Sequence, residues 1–70
     1  MSDFKERLVQ EEKELLEKVT KLDAFMKSDK FGSVSTTQRN LLNIQYHAMC
    51  IYEQCLIERL EDLDKQQEQP

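Results

Sequence analysis

Two groups of residues in this 70-residue chain have the types and spacing to do chemistry. One is His47, Cys50 and Cys55, within "YHAMCIYEQC". The other is a set of cations, Lys18, Lys21, Lys27, Lys30 and Arg39. On a helix, His47 and Cys50 at i,i+3 supply two metal ligands, where a structural zinc site uses four, so no metal site is expected. Cys50 and Cys55 point roughly 140° apart around a helix and cannot bridge within it. They read as free thiols suited to a reducing compartment. His47 lies between Ile44 and Ile51 and reads as an interface or core histidine. Ser33, Ser35, Thr36 and Thr37 occupy turn and cap positions, where hydroxyls serve the backbone. The carboxylates of "EEKELLEK" and "ERLEDLDK" form solvated faces with i,i+4 pairs such as Glu14–Lys18 and Glu17–Lys21. No nucleophile stands beside a base, so the chain is expected not to be an enzyme.

The cations matter more because of where they fall. The net charge is −4, yet residues 18–39 carry five bases against two acids, inside a chain that is otherwise acidic. The overall charge disfavours long nucleic acid as a partner. A small anion held by a local basic cluster remains compatible. Arg and Lys are the usual phosphate ligands, and aromatic rings offer stacking faces. Phe4, Phe31, Tyr46 and Tyr52 are rings that could do so; packing explains Tyr52 in a helix seam and Phe31 at a closed turn.

The elements that must position these residues are two helices. One Gly, one Pro and 34% charged residues favour helix over strand. The first helix is expected over about residues 3–28, with Asp3 capping it and Glu6 three residues on. Its seam runs Leu8, Leu15, Val19, Leu22, Met26. A turn follows at 29–34, with Gly32 free to take positive φ. The second helix is expected over about 35–66, opened by the capping box Ser35–Gln38 and ending in a polar tail that frays. Its seam runs Leu42, Met49, Tyr52, Leu56, Leu60, Leu63. Glu12 and Gln45 interrupt the stripe and are placed at its edge. The short connection favours an antiparallel hairpin. Its register sets Met26 near Leu42, Val19 near Met49, Leu15 near Tyr52, Leu8 near Leu60 and Phe4 near Leu63. The whole chain, 1–70, is read as one all-α helical-hairpin domain.

The second helix carries more apolar residues than one partner helix can cover. Ile44 and Ile51 lie about 140–160° around the helix from Met49. A helix apolar all round is buried all round. The expected outcome is a compact helical homo-oligomer, since a chain of this length has a marginal core by itself. No targeting segment is visible at "MSDFKERL", and no run of 18 apolar residues crosses a membrane.

The ordered series Phe4, Arg7, Glu11, Leu15, Lys18, Leu22, Phe25, Phe31, Leu41, Leu42, Gln45, Met49, Tyr52, Leu56 and Arg59 resembles a family of small phage-encoded helical proteins, the anti-CBASS cyclic-oligonucleotide sponges. The resemblance covers residues 4–60. It implies an oligomer, typically a hexamer, in the cytoplasm of an infected bacterial host. It implies a protein that binds cyclic dinucleotides, and in some members cyclic trinucleotides, without cleaving them. Such sequestration blocks CBASS signalling. No cofactor is implied. Carried over position by position, the family's stacking ring falls on Phe4 and its lysine on Lys18, with Arg7 close by and Lys21 one turn further on. Phe in place of Tyr keeps the stacking face and loses a hydroxyl contact. The alternative reading is a helical-hairpin oligomer that serves as a protein–protein interaction or assembly module.

Overall fold

The computed structural model describes residues 2–68, with side chains described from 3 to 66. Helix α1 spans Ser2–Met26, a 3-10 turn spans Asp29–Ser33, and helix α2 spans Thr36–Glu68. The two helices pack antiparallel into a rod of 55 × 15 × 15 Å. The described residues contain no strand. The last residues of the polar tail, 69 and 70, lie outside the described residues.

Local chemistry explains the ends. At the start of α2 the Gln38 N–H donates to Ser35 Oγ at 3.2 Å, the backbone half of the capping box. Asp3 lies inside the first turn of α1 rather than at its cap. There its charge still favours the positive end of the helix dipole. The turn is tied down by Arg39, whose guanidinium donates to the carbonyls of Gly32 (2.9 Å) and Val34 (3.0 Å) and to Thr36 Oγ1 (3.1 Å). Phe31 folds back edge-on against Phe25, with ring centroids 5.9 Å apart. Gly32 does not take the positive φ expected of it. The connection is a 3-10 turn with extended residues at either side, and that path needs no left-handed residue.

The core is thin. Leu8, Leu15 and Leu56 are buried, and Val19, Met49, Leu60 and Leu63 pack against them. The register agrees with the sequence reading at both ends. Lys5 pairs with Asp64, and Tyr46 Oη donates to Asp23 Oδ1 at 3.3 Å. The seam of α2 needs one correction. Tyr52 is 44% exposed and lies off the stripe, whereas Glu53, next to it, is 8% exposed. The residues that face α1 follow a strict heptad pattern, with Leu42, Met49, Leu56 and Leu63 in one row. Tyr46, Glu53 and Leu60 form the other. A residue one place along is turned by about 100°, enough to take Tyr52 out of the interface. Gln45 is exposed, outside the stripe. Glu14 accepts from Gln10 Nε2 at 2.9 Å; no Glu14–Lys18 or Glu17–Lys21 ion pair forms among the described residues, where the i,i+4 pair is Lys27–Asp23 at 2.9 Å.

Candidate anion-binding site

The open end of the hairpin, opposite the turn, holds the ring expected to stack. Phe4 is in the first turns of α1, and its side chain is half exposed. It is not a bare ring at a helix end. The hairpin register brings Arg59 of α2 over it, with the guanidinium carbon 6.0 Å from the ring centroid, within cation–π range. Arg7, one turn along α1, joins them. Phe4, Arg7, Leu8, Glu11 and Arg59 line an open cleft of about 310 Å³. On the other side of the Phe4–Arg59 pair, a second cleft of about 390 Å³ is lined by Phe4, Cys55, Glu58, Arg59, Asp62 and Leu63. The ring and the guanidinium therefore form a ridge between two grooves. Two planar groups are offered there, one π face and one fork of donors suited to phosphate oxygens.

Lys18 and Lys21 are not in this cluster. Fourteen residues separate Lys18 from Phe4, a rise of about 21 Å along α1. Both fall on the same side of the helix, about 40° apart in angle. Lys18 is exposed. Lys21 lines a shallow groove with Lys13, Leu16, Glu17 and Thr20. Of the four residues named from the sequence, the fold groups Phe4 with Arg7 and leaves both lysines far from them on the same chain. Of the other cations, Arg39 is engaged with the turn carbonyls and Lys27 with Asp23. The hydrogen bond from Lys27 holds the Asp23 carboxyl below its ordinary range, with Tyr46 contributing.

The Sequestin family profile matches residues 2–62. The chain belongs to the Sequestin family. No curated protein and no solved structure matches it. The family name denotes sequestration and agrees with the sponge proteins that the sequence resembles. The open end of this Sequestin presents an aromatic ring and two arginines. No helix among the described residues is long and apolar enough to cross a membrane.

Sequence reasoning missed two juxtapositions. One is Arg59 beside Phe4. The register already placed Phe4 near Leu63, so Arg59, one turn before Leu63, was within reach of that argument. The other is Glu53. It faces Glu12 across the hairpin, and its Oε1 is buried without a hydrogen-bond partner. Burial first, then a hydrogen bond with Glu12 and that residue's charge, raise the Glu53 pKa to about 7. Glu12 and Glu53 sit at equivalent heptad positions of the two helices, so a strict seven-residue count places both on the facing surfaces, and the packing of the helices brings them together. Neither has an ion-pair partner among the described residues. Tyr46, one heptad earlier in the same row, titrates above its ordinary range, through a hydrogen bond with Cys50 and the charge of Asp23. His47 Nδ1 lies 2.7 Å from the Asn43 carbonyl. A carbonyl only accepts, so the proton is on Nδ1.

Proposed function

We propose that this Sequestin binds and sequesters cyclic dinucleotides, without cleaving them, in the cytoplasm of a phage-infected bacterium, and so blocks CBASS signalling. The observation that carries the reading is the exposed Phe4 ring flanked by Arg7 and Arg59 at the open end, on a chain of a sequestering family. A base stacks on the ring and phosphate oxygens meet the guanidinium groups. The ligand is held, and no bond is made or broken.

The distance from Phe4 to Lys18 adds a requirement. A single dinucleotide does not span about 21 Å of one helix. If Lys18 or Lys21 contributes, it comes from a second chain, and the site is complete only in an assembly. Charge supports the same arrangement. Glu11, Glu58 and Asp62 line the clefts around Phe4, and a dianion placed there gains from cations brought by another copy. A cyclic dinucleotide, with two phosphates related by a pseudo-two-fold, suits a pocket shared by two copies of one chain.

Calorimetry with 3′,3′-cyclic GMP-AMP and a panel of related cyclic dinucleotides tests this. Binding is expected, with the ligand recovered intact by chromatography after release. Absence of binding across the panel defeats the reading and leaves the interaction module, which the exposed Ile44 and Ile51 favour. Recovery of a linear product would make the protein an enzyme. Lys18→Ala is expected to weaken binding about tenfold or more, the size of a lost charge-assisted contact. Helix content and solution mass should stay unchanged in that variant.

A further inference from the structure

The two helices are tied differently at their ends and in the middle. Near the open end Lys5 pairs with Asp64. Near the turn Asp23 accepts from Tyr46 Oη at 3.3 Å and pairs with Lys27 at 2.9 Å. Between these ties stands Glu12, about 10 Å along α1 from Lys5 and about 16 Å from Asp23. It faces Glu53 of α2, which is 8% exposed and whose Oε1 is buried without a partner. Leu8 and Leu56 lie on the open-end side of the pair, and Leu15 and Met49 on the turn side, all of them in the apolar seam.

The surroundings offer this pair no cation. From α1, Glu12 is the ionisable group that faces Glu53, and its sequence neighbours Glu11 and Lys13 are exposed. On α2, half-buried Cys50 lies one turn before Glu53, Tyr52 and Cys55 are exposed beside it, and Glu58 is exposed beyond. The 3-10 turn, Asp29–Ser33, packs at the far end of the rod. No basic residue stands three or four places from either carboxylate on its own helix. Two ionised carboxylates only accept, so a hydrogen bond between them requires that one hold a proton. Without it, Glu53 would be an unpaired buried charge, and the seam relieves that cost by admitting water.

We propose that Glu12 and Glu53 form a proton-operated latch in the middle of the hairpin. With the proton in place, the Glu53 carboxyl donates to the Glu12 carboxylate and the seam is closed. When the proton leaves, the middle of the seam opens to water while the ties at Lys5–Asp64 and Tyr46–Asp23 hold the two ends together. The direction follows from the raised folded pKa of Glu53, about 7 against an ordinary 4.5. The latch is at full strength below about pH 4.5, weakens by at most about tenfold per pH unit from there to 7, and is flat above. The hairpin is therefore poised to change its internal packing close to neutral pH.

Amide hydrogen exchange, read residue by residue and corrected for the intrinsic effect of pH, tests this. Between pH 5 and 8, protection at residues 49–56 is expected to fall about tenfold or more. Protection around Asp23, Tyr46 and Asp64 is expected to fall less. An equal loss along the whole rod would mean that the hairpin unfolds as one unit and would overturn the latch, as would no loss in the middle. Glu53→Gln is expected to keep the middle closed at pH 8; a variant with the full pH response would overturn the proposal. A direct measurement on the unmodified chain does not depend on that variant folding. The Glu53 side-chain carboxyl, followed by carbon NMR, is expected to titrate near 7, and a midpoint in the ordinary carboxylate range refutes the latch. Histidine is the other side-chain type that changes charge near neutral pH, and His47 is exposed. His47→Gln is expected to leave the exchange profile unchanged, and loss of the pH response in that variant would overturn the assignment to the carboxylates. These readouts need no nucleotide, so they stand or fall apart from the test of sequestration.

Discussion

The two faces of α2 are unequal in an unexpected direction. The face that meets α1 holds a carboxylate, Glu53, in the middle of its seam, opposite a second carboxylate, Glu12. The face turned to solvent holds Leu41, Ile44, Ala48 and Ile51 in a clean stripe. A lone hairpin optimised for its own stability would have the reverse. Three buried leucines are a small core for two helices of 25 and 33 residues, and helices in folded proteins draw most of their stability from packing. The hairpin interface sets register, whereas the outer face of α2 leaves its apolar stripe exposed.

The largest effect is expected at the inner face. Leu56 is completely buried, so Leu56→Ala should destabilise by about 2–5 kcal/mol, the usual cost of removing a buried leucine. A thermal melt followed by circular dichroism measures it. A loss under about 0.5 kcal/mol, typical of surface positions, would mean that the inner seam is not the core.

The carboxylate pair gives the next effect, and its sign is fixed. Glu53 has a folded pKa raised to about 7 from an ordinary 4.5. The folded state therefore binds the proton more tightly. Its contribution to stability is full below about pH 4.5, falls as pH rises from 4.5 to 7, and is flat above. Asp23 acts the other way. Its lowered pKa gives stability that is present above 3.8 and lost as pH falls through the lower folded value. Denaturant titrations across pH 4.5–8 should show stability declining toward alkaline pH. Glu53→Gln should flatten that decline and raise stability at pH 8, because a neutral amide replaces a buried charge. A wild-type profile already flat over this window would show that the pair is solvated.

At the outer face the expected effect is smaller and depends on concentration. If the proposed assembly forms, Ile44→Ala should cost about 1 kcal/mol at high protein concentration and close to nothing at strong dilution, because the lone hairpin leaves that side chain exposed. An equal loss at both concentrations would place Ile44 in the chain's own fold. The smallest effect is expected outside both faces. Gly32 has no positive φ, and nothing lies within 4 Å of where a Cβ would stand. Gly32→Ala should be neutral or stabilise by up to about 1 kcal/mol, through the unfolded chain, as its melt would show.

Much of this was legible beforehand, because helix periodicity and capping are local. The apolar spacing along each helix gave two helices, the short turn gave their antiparallel order, and Ser35 with Gln38 marked where α2 begins. The readings that went astray were of another kind. Tyr52 and Glu53 are neighbours, and hydrophobicity alone favours Tyr52 for the seam. The angular position given by a strict heptad count favours Glu53. A lone glycine between two helices suggests positive φ, a conformation that the 3-10 turn does not require.

The sequence by itself determined the helices, their register and the surplus apolar stripe, since each is written in spacing along one strand of chain. Only the tertiary structure decided which groups from distant parts of the chain face each other: Arg59 over Phe4 and Glu53 against Glu12. It also made a rod with net positive charge toward the turn and net negative charge toward the open end. Those facts depend on how one helix is rotated about its axis against the other. A shift of one residue turns a side chain by about 100°, so a count along one helix gives its facing row, and only the packed pair gives the contacts made across it.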